Sequence, residues 1–323
     1  MKVFVTGATG FIGSHLADAL LEDPQNEVRC LVRTELKWLR DKGIIPVKGD
    51  LHDLPALKKG LEGADVVFHL AALVKAPKPE IFFRTNVEAT ENIIRMAQKA
   101  GVPKMVILSS LAAAGPSFQK PVTEADPMLP VSMYGQSKKD MEEMIHRVAG
   151  PKDSITILRP PAVYGPREEQ ILSFFQIASR GICPIVGSGA TNRISMVHVD
   201  DVVQGLMLAW NQTETGVHTY FVSGPEVYTW NEIKDATAQA LGKKLITLPL
   251  PPKIVTLVGA LTESAAGLIG NYPMMNRDKA KEMTLQWTCS IRKIQQELGF
   301  KPVYGIREGL EDTISWYRRH RWL

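Results

Sequence analysis

Near its start the chain reads Thr6-Gly7-Ala8-Thr9-Gly10-Phe11-Ile12-Gly13, a run that few folds can use. It follows an apolar stretch, Val3–Thr6, and opens a segment of helical period, Ile12–Leu21. The spacing is G-x-x-G-x-x-G, with Thr9, Phe11 and Ile12 completing the loop. Gly7 allows the tight turn out of the strand, Gly10 lets backbone approach a pyrophosphate, and Gly13 lets the helix pack closely on the strand. A helix N-terminus then offers unpaired N–H groups and the positive end of its dipole to phosphate oxygens. A lone glycine pattern is weak; its place between a strand and a helix makes it a dinucleotide-binding signal.

The first half repeats that alternation. Strand candidates are Val28–Val32, Ile44–Val47, Val66–Leu70, Met105–Leu108 and Ile155–Leu158, separated by helical stretches at Pro55–Leu61, Val87–Ala100 and Gln136–Ala149. Such βα repetition predicts an α/β fold: a Rossmann-type, doubly wound parallel sheet with helices on both faces. After Pro160 the texture changes to Pro- and Gly-marked loops with helices near Ile171–Ser179, Val202–Trp210, Trp230–Leu241, Ile291–Leu298 and Ile306–Tyr317. The expected organisation is a dinucleotide-binding domain over 1–165, with segments returning near 190–225. Residues 166–323 supply most of a smaller, discontinuous α/β substrate lobe over the carboxyl edge of the sheet, where ligands of open sheets bind.

Composition excludes rather than selects. With 323 residues, 45% hydrophobic and 22% charged, the chain can bury a large core. A net charge of +4 does not point to nucleic acid, and the basic run Arg318-Arg319-His320-Arg321 reads as a solvated tail. Cys30, Cys183 and Cys289 form no C-x-x-C pair and no metal-ligand spacing; they read as free thiols of a reducing, cytoplasmic compartment, and no metal is expected. No signal peptide is visible. The longest apolar stretch, Ile254–Gly270, contains Glu263 and is too short for an integral membrane span. The wider run 248–275 reads as a lid over a ligand, as core, or as a membrane-surface contact.

Two positions bear on which dinucleotide is bound. Where an acidic residue would accept from the ribose 2′-hydroxyl of NAD, about twenty residues beyond the glycines, the chain has Val32-Arg33-Thr34. A guanidinium pairs with a 2′-phosphate, so Arg33 favours NADP(H); the competing reading leaves Arg33 at the surface and turns Glu35 inward for NAD. Asp50 and Leu51, after the third strand, are placed to receive an adenine, and Asp50 is also a candidate cap for the helix that follows.

Tyr134-Gly-Gln-Ser-Lys138 sets a phenol and an ammonium at i and i+4, on one helix face. A free phenol titrates near roughly 10, and a neighbouring ammonium lowers that value. Tyr134 is therefore the candidate general acid/base and Lys138 its partner and a ribose ligand. Ser109-Ser110 closes the strand Met105–Leu108, where Ser110 can orient a substrate oxygen, or the pair can simply cap the loop.

These motifs, together with HLAA at 69–72, LRPPAVYGP at 158–166 and VHVDD at 197–201, resemble the extended short-chain dehydrogenase/reductase family, also described as the NAD-dependent epimerase/dehydratase superfamily, over nearly the whole chain. The resemblance implies Ser110, Tyr134 and Lys138 as catalytic. It implies Ala71 and Ala72 along the cofactor trough, Asn86 starting a helix beside the site, and Pro160, Ala162 and Val163 over the nicotinamide. His198, Asp200 and Asp201 would join the lobes. A homodimer built on the Asn86–Ala100 and Gln136–Ala149 helices is also implied.

The reaction is less determined. Ser109–Pro116 resembles the hydroxysteroid dehydrogenase branch, and Arg33 resembles NADPH-dependent ketone reductases such as the dihydroflavonol reductases. Both favour an oxidoreductase acting on a small-molecule carbonyl or secondary alcohol. Arg193 lies near the position where sugar-nucleotide members hold a diphosphate, one residue too far from Asp200, and keeps a nucleotide-sugar 4-epimerase using bound NAD as the alternative. A non-catalytic dinucleotide-binding regulator is the third reading, disfavoured because both Tyr134 and Lys138 are retained.

Overall fold

The computed structural model describes residues 1–269 and 277–323. Twelve strands are assigned among them: β1 Lys2–Thr6, β2 Glu27–Val32, β3 Ile45–Lys48, β4 Val66–His69, β5 Lys104–Leu108, β6 Ser154–Arg159, β7 Ala162–Tyr164, β8 Ile182–Val186, β9 Arg193–His198, β10 Gly216–Phe221, β11 Val227–Thr229 and β12 Ile246–Leu250. Seven form one sheet, in the order β10-β6-β5-β4-β1-β2-β3, and every neighbouring pair in it is parallel. The order runs outward from β1 in both directions, so the crevice at the carboxyl ends of β1 and β4 is the switch point where open α/β sheets bind ligands.

The central strands are apolar on both faces because both faces are covered. Val3, Val5, Phe68, Val106 and Leu158 meet the Phe11–Leu21 and Val199–Trp210 helices on one side. Phe4, Val67, Met105, Ile107 and Ile157 meet the Leu54–Leu61, Ala89–Ala100 and Met133–Val148 helices on the other. The expected strands and helices of the first half are present with ends shifted by a few residues. One shift matters: the helix expected from Gln136 begins at Met133, because Ser132 caps it by accepting from Gly135 N at 3.2 Å. Tyr134 therefore stands in the first turn.

The second lobe has more strand than its loop-rich texture predicts. A three-stranded sheet, β11-β9-β7, and a two-stranded parallel ribbon, β12-β8, surround a core of Tyr164, Phe175, Tyr228, Leu310, Ile314 and Tyr317. Gly216–Phe221 leaves this lobe and joins the main sheet beside β6. His198, fully buried, packs against the Tyr304 ring with centroids 4.0 Å apart, and Asp201 accepts from Val303 N and Tyr304 N at 2.8 and 3.1 Å, tying the C-terminal segment to the start of the Val199–Trp210 helix. All three cysteines are buried and unpaired. A helix spans Pro252–Ile269, and the part of the expected apolar run 248–275 that falls after residue 269 lies outside the described residues.

Candidate active site

The glycine loop takes the conformation its composition requires. Gly7 turns out of β1 at φ +80, and a Cβ there would meet Ala71 N at 2.6 Å. A Cβ on Gly13 would strike Gly7 O at 2.2 Å, so the helix approaches the loop as closely as backbone permits. Gly10 differs: a Cβ there would contact Gly7 O alone, at 3.2 Å, and otherwise point into open space. Gly10 is also the N-cap of the Phe11–Leu21 helix, with no side-chain cap and no acidic residue in the first turn. Orphan N–H donors, a positive helix end and a missing Cβ fit a diphosphate.

Other candidate ligands of a dinucleotide ring this loop. Arg33 is exposed at the carboxyl end of β2. Asp50 accepts from His52 N at 2.8 Å; the helix cap is Asp53, which accepts from Ala56 N at 3.0 Å, so Asp50 is not the cap. Leu51 is partly buried beside it. Ala71 and Ala72 follow β4, whose pairing with β1 brings Ala71 against Gly7. Asn86 does not start a helix. It lies inside a π-helical stretch, Phe83–Glu88, fully buried, with its amide exchanging two bonds with the Leu73 backbone at 2.8 and 2.9 Å and donating to Ser137 Oγ at 3.0 Å. It clamps the loop after β4 to the Tyr134 helix. Pro160 is buried, its carbonyl accepting from Leu111 N at 2.8 Å, while Ala162 is exposed and Val163 half-buried on β7.

Ser110, Tyr134 and Lys138 converge at the end of β5. Ser110 caps the short Leu111–Ala114 helix through Ala112 N at 3.1 Å, and its hydroxyl pulls the Tyr134 phenol pKa downward. Of the two anticipated roles of the serine, the cap is formed. Phe82 packs on the Tyr134 ring at 6.4 Å. Burial pushes the phenol up to about 12, with the Ser110 hydroxyl pulling the other way and the Glu282 carboxylate adding to the rise. The expected lowering by Lys138 is not among the causes, its ammonium donating instead to Leu108 O, and Tyr134 stands as a neutral phenol able to donate. Lys138 is 2% exposed and donates to Leu108 O at 2.8 Å. Burial pulls its ammonium down to about 8, against the opposing pull of Glu142.

Glu142 belongs to a cluster that motif reading missed. It sits one helical turn past Lys138, 1% exposed, and accepts from Arg159 Nε at 3.0 Å and from Arg159 Nη2 at 2.6 Å. Ser109 Oγ donates to the same carboxylate, and Phe221 covers the guanidinium at 5.4 Å. The i+4 spacing from Lys138 was the available signal; Arg159, at the end of β6, meets Glu142 only through the fold. A second missed contribution comes from the Arg277–Glu282 helix. Asp278 accepts from Met133 N at 3.0 Å, at the head of the catalytic helix, and Glu282 adds negative charge toward Tyr134. Arg193 is exposed at the start of β9, cross-strand from Thr229, where its charge bears on Glu232; no contact links it to Tyr134 among the described residues.

The sequence model of the NAD dependent epimerase/dehydratase family matches residues 3–224. A ceramide reductase of Caulobacter vibrioides is 33% identical over 99% of this chain and 96% of its own length. An Escherichia coli O157:H7 N-acetyl-alpha-D-glucosaminyl-diphospho-ditrans,octacis-undecaprenol 4-epimerase is 26% identical over 98% and 95%. Among solved structures, MoeE5 in complex with UDP-glucuronic acid and NAD superposes with a TM-score of 0.78, at 28% identity, covering 99% of this chain and all of that one.

Proposed function

This chain belongs to the NAD dependent epimerase/dehydratase family, and from that premise we propose that it is an NADP(H)-linked oxidoreductase that interconverts a ketone and a secondary alcohol on a largely apolar small molecule. The observation that carries the reading is the convergence of Ser110, Tyr134 and Lys138 at the end of β5, with burial keeping the Tyr134 phenol neutral. A neutral phenol beside a hydroxyl donor is suited to protonate a carbonyl oxygen as it becomes an alkoxide.

In this reading the 6–13 loop and the N-terminus of the Phe11–Leu21 helix hold the diphosphate, Arg33 pairs with the 2′-phosphate, and Asp50 and Leu51 receive the adenine. The bound dinucleotide supplies or accepts the hydride. Ser110 orients the carbonyl oxygen, Tyr134 delivers the proton, and Lys138 offsets the charge left on the phenolate. Ser109, Glu142 and Arg159 hold the Lys138 segment against β5 and β6.

Several features support an apolar, uncharged substrate. Met133, next to Tyr134, and Phe118 are exposed apolar side chains. Glu282 places a carboxylate toward the phenol, an unfavourable neighbour for a diphosphate. The ceramide reductase relative acts, by its name, on an amphiphile. The alternative, a nucleotide-sugar 4-epimerase with bound NAD, draws support from the undecaprenol-linked epimerase relative and from the UDP-sugar held by MoeE5. Purified protein given NADPH and a panel of long-chain ketones tests the choice. Ketone-dependent NADPH oxidation is expected. Interconversion of UDP-sugars with no net cofactor turnover, and no ketone reduction, would overturn it.

A further inference from the structure

The ribbon β8-β12 buries one side and leaves the other apolar and open. Its register pairs Ile246 with Ile182 and Leu248 with Pro184, so these side chains share one face. Thr247 and Cys183 take the opposite face, where Cys183 is buried and Lys234 reaches Thr247 Oγ1 at 3.5 Å. Ile246 is 75% exposed and Leu248 50%. Only Pro251 separates β12 from the Pro252–Ile269 helix, which continues the exposed apolar surface with Ile254 at 51% and Leu257 at 58%. Val255, between them, turns inward onto Val186 and Ala280 and fixes which way the first turn faces.

Charge is sorted around this surface. Residues 180–186 and 243–257 contain no Asp or Glu, and Arg180, Lys243, Lys244 and Lys253 are all exposed. The Arg277–Glu282 helix, docked through Ala280, repeats the pattern. Its acids are already engaged, Asp278 inward with Met133 N and Glu282 with Lys279 at 3.4 Å, while Lys281 is exposed. Exposed Ile and Leu within a mainly basic rim, in which Asp235 beside Lys243 and Lys244 is already paired with Lys234, are the composition of an interfacial membrane contact, in which apolar side chains enter the headgroup boundary and lysines meet anionic lipid. No helix of the described residues is long and apolar enough to cross a membrane, so the contact is peripheral.

We propose that the face formed by Ile182, Ile246, Leu248, Ile254 and Leu257 docks on an anionic phospholipid surface. The Arg277–Glu282 helix then joins that surface to the catalytic helix, placing the cleft where an amphiphile can enter from the bilayer. The docking itself does not depend on which reaction the site performs.

Flotation of the full-length protein with vesicles tests this, using phosphatidylcholine alone and phosphatidylcholine with one quarter phosphatidylglycerol. Binding to the anionic vesicles is expected at 0.1 M salt (roughly one Debye length of 10 Å), and it should weaken at several-fold higher salt. Lys243→Gln/Lys244→Gln should lower the partition coefficient by at least about tenfold, at ~1 kcal/mol per lysine. Ile246→Ser/Leu248→Ser should lower it comparably. Both variants change exposed side chains, and unchanged melting and dinucleotide binding confirm that they fold. The proposal is overturned by absent flotation, by equal binding to the neutral vesicles, or by variants that bind as wild type. It is equally overturned if Ile246→Ser/Leu248→Ser splits an oligomer while vesicle binding stays absent, which would assign the face to a second copy of the chain.

Discussion

The carboxyl ends of β5 and β6 and the carboxyl end of β2 are both ligand-facing edges of one sheet, yet they are built in opposite ways. At β5 and β6, Lys138, Glu142 and Arg159 are each under about a twentieth exposed, with Arg159 bonded to Glu142 and Lys138 to the Leu108 carbonyl. At β2, Arg33 is exposed, as is Arg193 at the start of β9 in the other lobe. The contrast separates two tasks. In the proposed function, the groups that serve proton transfer are prepositioned by packing, because their geometry and protonation must be set before substrate arrives. The groups proposed to select a ligand are solvated and would gain their partners from it.

That difference can be broken by substitution. Tyr134→Phe removes the proton donor while leaving the ring packed on Phe82. Turnover should fall by about 10²–10⁴-fold with dinucleotide affinity kept, as steady-state kinetics and cofactor titration will show. Glu142→Ala strands the Arg159 guanidinium in the interior. Denaturant unfolding should show a loss of about 3–5 kcal/mol, and the joint change Glu142→Leu/Arg159→Met should recover most of it. A loss below ~1 kcal/mol in the single variant would put the cluster in the same solvated class as Arg33.

Smaller effects sharpen the comparison at the exposed edge. Arg33→Ala should raise KM for NADPH by about 10–100-fold, the value of a charge-assisted hydrogen bond, and leave KM for NADH nearly unchanged. Arg193→Ala should change kcat/KM for a ketone by less than about twofold, as surface charges do; a large loss restricted to a UDP-sugar would instead give that arginine a diphosphate to hold.

The pH dependence follows from the buried lysine. The Lys138 ammonium is intact below about 8 and is lost above it. Reduction, which leaves negative charge on Tyr134, should therefore decline as pH rises through that value. Glu142 opposes the fall in the Lys138 pKa, so Glu142→Gln should move the declining limb to lower pH in a kcat/KM profile.

The same contrast governs what could be read from residues alone. The glycine loop and the Tyr134/Lys138 pair were legible because backbone geometry and helical period leave marks at fixed spacing. Glu142 with Arg159 was not, since its partners are 17 residues apart and meet only when β6 lies beside β5. The start of the catalytic helix was placed late because Ser132 was not taken as its cap. In the second lobe, β8 and β12 were missed: their residues are Pro-interrupted, and what organises them is a parallel pairing about sixty residues apart, invisible to local pattern.

The account rests on a phenol that keeps its proton until a carbonyl needs it. Tyrosine labelled with ¹³C at Cζ reports ionisation directly, and the resonance lost in Tyr134→Phe identifies the residue. In the protein free of dinucleotide that resonance should stay at its neutral-phenol position through pH 10, consistent with a value pushed up to about 12. Ionisation of Tyr134 near neutral pH would contradict the assignment of a neutral proton donor.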